Sequence, residues 1–190
     1  ALNESMRGRI PSLMGRVRRA LAEAEGSGAE TGLALELAAL MWAREMPCLY
    51  PDVHKALAEL RGRGFRLALV SNIEHHQKHW IRELELEPCF DAMVLSCEVG
   101  FLKPGEEIYR LAAERLWVSP GECIFVGDGL GDELQGAKAV GMMALRVDRE
   151  IRHEREPRDE TFDLRVRDLE ELLAWLPLRA GRPEGGSSLT

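Results

Sequence analysis

Apolar positions change their period near residue 47. Before it they recur at helical spacing: Ile10, Leu13, Met14, Val17 and Leu21 share one face of a helix over 2–25, with several Arg opposite. Gly26-Ser27-Gly28 breaks that pattern, and a second helix over 31–46 is apolar on most of its surface. Two such helices joined by a Gly-rich turn form a hairpin. Pro47 and Pro51 mark the change. From Asp52 onward, short aliphatic runs alternate with amphipathic stretches. The pattern predicts helices over 52–61, 74–86, 104–116, 132–140 and 168–176, and strands over 66–70, 92–95, 123–126 and 143–147. Gly62 and Gly64 close the first of these helices and Gly141 the fourth. Such alternation specifies an α/β fold: a Rossmann-like, mostly parallel sheet with helices on both faces, plus a small helical cap. The domains expected are 1–48 as part of the cap, 49–178 as the α/β core and 179–190 as a flexible Pro/Gly/Ser tail. Residues 148–160 are charged and read as a solvated loop.

Composition narrows the function classes. A formal charge of -7 argues against a general nucleic-acid-binding surface. No apolar run reaches the length needed to span a membrane, and the start carries no signal-peptide pattern. The four Cys (48, 89, 97 and 123) show no CxxC pairing, so reduced thiols in a cytoplasmic protein are the simplest account.

The densest chemistry lies in the stretch 124–142, IFVGDGLGDELQGAKAVGM. An apolar strand ends at Gly127, and Asp128 and Asp132 follow, one at the strand's carboxyl end and the other at the start of the next helix. That edge of an open α/β sheet is where ligands bind. Two hard carboxylates a loop apart suit Mg²⁺, which keeps water and substrate phosphate in its other positions; a glycine turn with an Asp N-cap is the plainer alternative. Ser71-Asn72, where the strand over 66–70 ends, offers a hydroxyl, an amide and main-chain N–H groups to an anion, or simply a turn. Lys103, held out of a helix by Pro104, is either a fixed point charge or an ordinary surface lysine. His75, His76 and His79 would put two rings on one helix face, but without a third ligand they read as a polar face.

Taken together, strand-Ser71-Asn72, Lys103-Pro104 and strand-Gly127-Asp128-xxx-Asp132 resemble the second, third and fourth motifs of the haloacid dehalogenase-like (HAD) hydrolases. The surrounding text agrees, in LYPDVHKALAELRGRGFRLALVSN, EVGFLKPGEEIYRLAAERL and GECIFVGDGLGDELQGAKAVGM, and the resemblance spans 49–147. It implies a helical cap in residues 2–46 and a Mg²⁺-dependent phosphatase acting on a small phosphorylated metabolite. In that reading Ser71 and the Asn72 main chain bind the transferring phosphoryl group. Lys103 orients the nucleophile, Asp128 ligates Mg²⁺, and Asp132 is a ligand or stands just behind one.

The family's first motif, a strand followed by DxDxT or DxDxV, has no counterpart here. Asp52 follows Pro51 rather than an apolar strand, and Asp159-Glu160-Thr161 lies in a charged loop. The resemblance implies a nucleophilic Asp in that motif, on the central strand between those ending at Ser71 and at Asp128. Losing that strand would leave unpaired backbone and a slot in the core. The expectation is a hydrolase whose nucleophile lies outside this chain. The alternatives are a non-catalytic binding or scaffold module, a strand supplied by another chain or a homodimer, and a 2-haloacid dehalogenase, which needs no metal.

Overall fold

The computed structural model describes residues 47–149 and 161–176. The cap helices expected over 2–46, the loop over 150–160 and the tail lie outside the described residues. The order is α1 (Val53–Gly62), β1 (Ala68–Ser71), α2 (His79–Glu83), β2 (Ala92–Leu95), α3 (Ser96–Val99) and α4 (Glu106–Arg115). There follow β3 (Ile124–Gly127), α5 (Glu133–Ala139), β4 (Met143–Val147), β5 (Leu164–Val166) and α6 (Leu169–Trp175). Every strand pairing is parallel, as the βα alternation requires.

The strands form two sheets, β1-β2 and β3-β4-β5. Side chains alternate between two cores. Phe125 and Ala144 face a cluster built with Ile108, Tyr109, Leu134 and Ala137 of α4 and α5. Their neighbours Ile124 and Leu145 face a second cluster with Ala56 and Leu60 of α1 and Leu172 and Leu173 of α6. This period of two, with helices over both faces, is why the strands read as near-continuous apolar runs. A third cluster, Ile73, Ile81, Leu95 and Cys97, seats α2 and α3 beside β1-β2.

Two elements differ from the sequence reading. The helix expected over 74–86 is divided: Glu74 and Gln77 close a capping box around a 3-10 turn at His75–Gln77, and α2 then runs only to Glu83, with Glu85 at φ 53 beyond it. His75 therefore belongs to that turn and His79 opens a separate helix. Among the described residues no three His, Cys, Asp or Glu side chains gather as a metal group. The second difference is β5, absent from the hydrophobic pattern. Its three residues pair with β4, and Asp163 ties them down by main-chain and side-chain bonds to Ala144, each 2.8 Å. No helix among the described residues is long and apolar enough to cross a membrane.

Between the two sheets lies a gap. β1 and β3 are edge strands of their respective sheets, and residues 68–70 and 124–126 line one cavity of about 1080 Å³. Leu57, Leu60 and Leu172 wall it on one side, and Tyr109, Ala112 and Ala113 on the other. Protein interiors hold few voids larger than a water molecule, and among the described residues nothing packs between these two strand edges.

Candidate active site

Ser71-Asn72 and Asp128 lie at the carboxyl ends of β1 and β3, the strands that flank that gap, with Lys103 in the loop before α4 and Asp132 in the turn before α5. Ser71 is the last residue of β1, and the chain then turns through Asn72 and Ile73. The Asn72 side chain is committed to Lys103. Its Nδ2 donates to the Lys103 carbonyl and its Oδ1 accepts from the Lys103 N–H, both at 2.9 Å. An amide bonded on both sides to one residue's main chain fixes that residue without contributing its own side chain to an anion. The Ser71 hydroxyl and the main chain around Ser71-Asn72 are what this arrangement leaves to meet an anion, while the Asn72 amide carries the turn's position to Lys103.

Lys103 in turn points its ammonium at Glu133. Nζ donates to Oε2 at 2.5 Å, and the two side chains are 17% and 7% exposed. The lysine also sits 5.7 Å from the centre of the Phe125 ring. The other Glu133 oxygen, Oε1, accepts from the Gly129 N–H at 3.2 Å. Burial pushes the Glu133 carboxyl above the usual carboxylate range; Lys103 pulls it back, and the nearby Asp128 charge pushes the same way as burial.

Glycine makes this arrangement possible at two points. A Cβ at Gly127 would lie 2.2 Å from Glu133 Oε1, so only glycine at the end of β3 leaves room for the carboxylate. A Cβ at Gly136 would lie 2.4 Å from the Pro104 carbonyl oxygen and 2.8 Å from the Tyr109 ring, so α5 can approach Pro104 only through a bare turn. Tyr109, fully buried, donates its hydroxyl to the Glu133 carbonyl at 2.7 Å and holds the start of α5 from below.

Glu133 is the residue that sequence reasoning missed. The sequence pattern puts Asp132 forward as the second carboxylate of the site. Gly131 and Asp132 both adopt left-handed backbone, at φ 66 and φ 60, and α5 begins only after them. That kink turns Asp132 to the exposed surface and Glu133 inward. The signal available in the sequence was Gly127, a glycine at a strand end that leaves room for a side chain from the following helix. Asp128 stands at the exposed carboxyl end of β3, its Oδ1 accepting from the Leu130 N–H at 3.0 Å. Pro104 precedes Gly105, the N-cap of α4, rather than opening the helix.

A family model described as haloacid dehalogenase-like hydrolase matches residues 4–141.

The chain belongs to the haloacid dehalogenase-like hydrolases.

Over 158 residues, 83% of this chain, it is 36% identical to a phosphoserine phosphatase of Thermus thermophilus, of which it covers 62%. Over 127 residues, 65% of this chain, it is 37% identical to a glyceraldehyde 3-phosphate phosphatase of Methanopyrus kandleri, of which it covers 54%. Among solved structures, a HAD phosphatase from Thermococcus onnurineus superposes with a TM-score of 0.61 at 32% identity, covering 70% of this chain and 60% of that one. The chain thus spans a little over half to about three-fifths of the length of these HAD relatives.

Proposed function

We propose that this HAD-like chain forms most of the active site of a Mg²⁺-dependent phosphatase for small phosphate monoesters in the cytoplasm. The observation that carries the reading is the linked set at one sheet edge. The Ser71-Asn72 turn is bonded to the Lys103 main chain, and the Lys103 ammonium to Glu133, which is hydrogen-bonded to the loop after Asp128. The named activities of the two phosphatase relatives support the choice of substrate class.

The gap between β1 and β3 supports placing the nucleophile on a strand that is not among the described residues. Protein interiors hold few voids larger than a water molecule, so a space of about 1080 Å³ flanked by two strand edges is one that a strand would fill. A parallel strand seated there would end between Ser71 and Asp128, beside Lys103. By family resemblance it carries an Asp whose carboxylate oxygen bonds to phosphorus as the ester P–O bond breaks. The leaving alcohol takes a proton from the motif's second Asp. Water, losing a proton to that second Asp, then attacks the phosphorus as the aspartyl O–P bond breaks, which releases inorganic phosphate and restores the carboxylate.

The donor set fits Mg²⁺ in part. Asp128, and Asp132 on the exposed side of the same loop, offer hard oxygens, and Mg²⁺ needs only one or two carboxylates beside water and phosphate. Glu133, with both oxygens engaged, is left to hold Lys103. When bound, the ion would offset the negative charge of the phosphoryl group. Lys103 would offset the same charge and keep the nucleophile ionised.

Phosphate release from a panel of phosphomonoesters, with and without Mg²⁺, tests the proposal on the protein as its gene encodes it. Asp128→Asn and Lys103→Ala should each lower kcat/KM by about 10²–10³-fold, the usual cost of losing one preorganised electrostatic group. Unchanged turnover in Asp128→Asn would overturn it.

A further inference from the structure

We propose that Ser96 is a positioning residue for the phosphate-binding turn, an inference that rests on the function proposed above. β1 and β2 pair in register up to Ser71 opposite Leu95, and there the ladder stops because β2 turns into α3 at Ser96. Ile73, two residues beyond the end of β1, is buried and has lost the strand neighbour that would have satisfied its main chain. The Ser96 hydroxyl replaces that neighbour in both directions: Oγ accepts from the Ile73 N–H at 2.9 Å and donates to the Ile73 carbonyl at 3.1 Å. One side chain thus extends the sheet by one rung after its backbone has left.

The consequence reaches the site because the two ends of the same segment grip the same turn. Residues 96–103 run from Ser96, bonded to Ile73, to Lys103, bonded on both sides to Asn72. Four hydrogen bonds therefore lock the turn and the lysine together. Ser96 is fully buried, so it acts on a bound anion through the turn rather than by contact. Alanine at 96 would leave a buried donor and a buried acceptor of Ile73 unpaired, and the turn could regain partners only by changing shape.

The test measures inorganic phosphate affinity by titration calorimetry with Mg²⁺ present, and hydrogen exchange over residues 71–74. The proteins are wild type, Ser96→Ala, the near-isosteric Ser96→Cys, and Leu173→Ala as a control destabilised in a different core cluster. Ser96→Ala should weaken phosphate binding about tenfold and speed exchange at 71–74 by a similar factor, with Ser96→Cys between it and wild type. Leu173→Ala should leave phosphate affinity within about twofold, since distant sites act independently. Wild-type affinity in Ser96→Ala, or an equal loss in Leu173→Ala, would overturn the inference alone. If Ser96→Ala does not fold, unchanged affinity in Ser96→Cys overturns it equally. A wild-type protein that binds no phosphate would bring down the proposed function and this inference with it.

Discussion

Glu133 binds the Lys103 ammonium with one oxygen and the Gly129 N–H with the other, and its side chain is almost fully enclosed. Taking two charges out of water costs several kcal/mol per ion, and mutual attraction offsets this only while both partners are present. Glu133→Ala should therefore destabilise the fold by about 3–5 kcal/mol, because it strands a largely buried lysine. Replacing both partners together, as Lys103→Met with Glu133→Leu, should recover most of that stability while abolishing turnover. Urea denaturation of the single and double variants separates these outcomes. A double variant as unstable as Glu133→Ala would mean that the pair itself, not the stranded charge, supplies the stability. Turnover that survived in it would remove Lys103 from the chemistry.

At the scale of elements, glycines and a single carboxylate set how closely neighbours approach. Alanine normally favours a helix interior over glycine by about 1 kcal/mol. At Gly136 the added methyl would press on the Pro104 carbonyl, so Gly136→Ala should cost about 1–3 kcal/mol in chemical denaturation and lower turnover as α5 moves Glu133 away from Lys103. A stabilised, fully active variant would show that this approach is not tight.

The attachment of β5 gives the pH dependence. A hydrogen bond from Lys138, joined by the Ala144 N–H, holds the Asp163 carboxyl below its ordinary value. A depressed folded pKa contributes stability that is present above the unfolded value, about 3.9, and is lost as pH falls through the lower folded one. The Tm difference between wild type and Asp163→Asn should therefore stay constant at neutral pH and close as pH drops below about 4. A difference that widened in acid would contradict the assignment.

How legible these elements were follows from their physics. β3, β4 and α6 announce themselves because their own side chains form the cores. Asp168 caps α6 by accepting from the Glu171 N–H at 2.8 Å, as its position before the apolar run implies. β5 could not be read, since Leu164-Arg165-Val166 becomes a strand only through β4 and Asp163. In the site, Lys103 and Asp128 stood out because a proline and a strand end fix their main chains. Glu133 was hidden by two successive left-handed residues that no periodicity reveals.

The whole molecule is governed by the gap between β1 and β3. Among the described residues no strand pairs with the facing edges, and the walls are mostly apolar, so any strand seated there would be buried on both faces and should be apolar at nearly every position. β1 and β3 are four residues each, so four or five residues suffice to span it. The 190-residue chain by itself should then bind ANS and exchange the amides of β1 and β3 far faster than those of β4, the centre of its own sheet. Supplying an apolar strand ending in DxDxT, fused ahead of residue 1 or added as a peptide, should suppress ANS binding and raise Tm. As a peptide it should do so with concentration, adding about 2.7 kcal/mol at a hundredfold excess over its Kd. The same addition should bring Mg²⁺-dependent phosphate release, because one segment fills the core and carries the nucleophile. A chain that unfolds cooperatively alone, excludes ANS and ignores the peptide would mean that the two sheets close on each other in solution, leaving no seat for a catalytic strand.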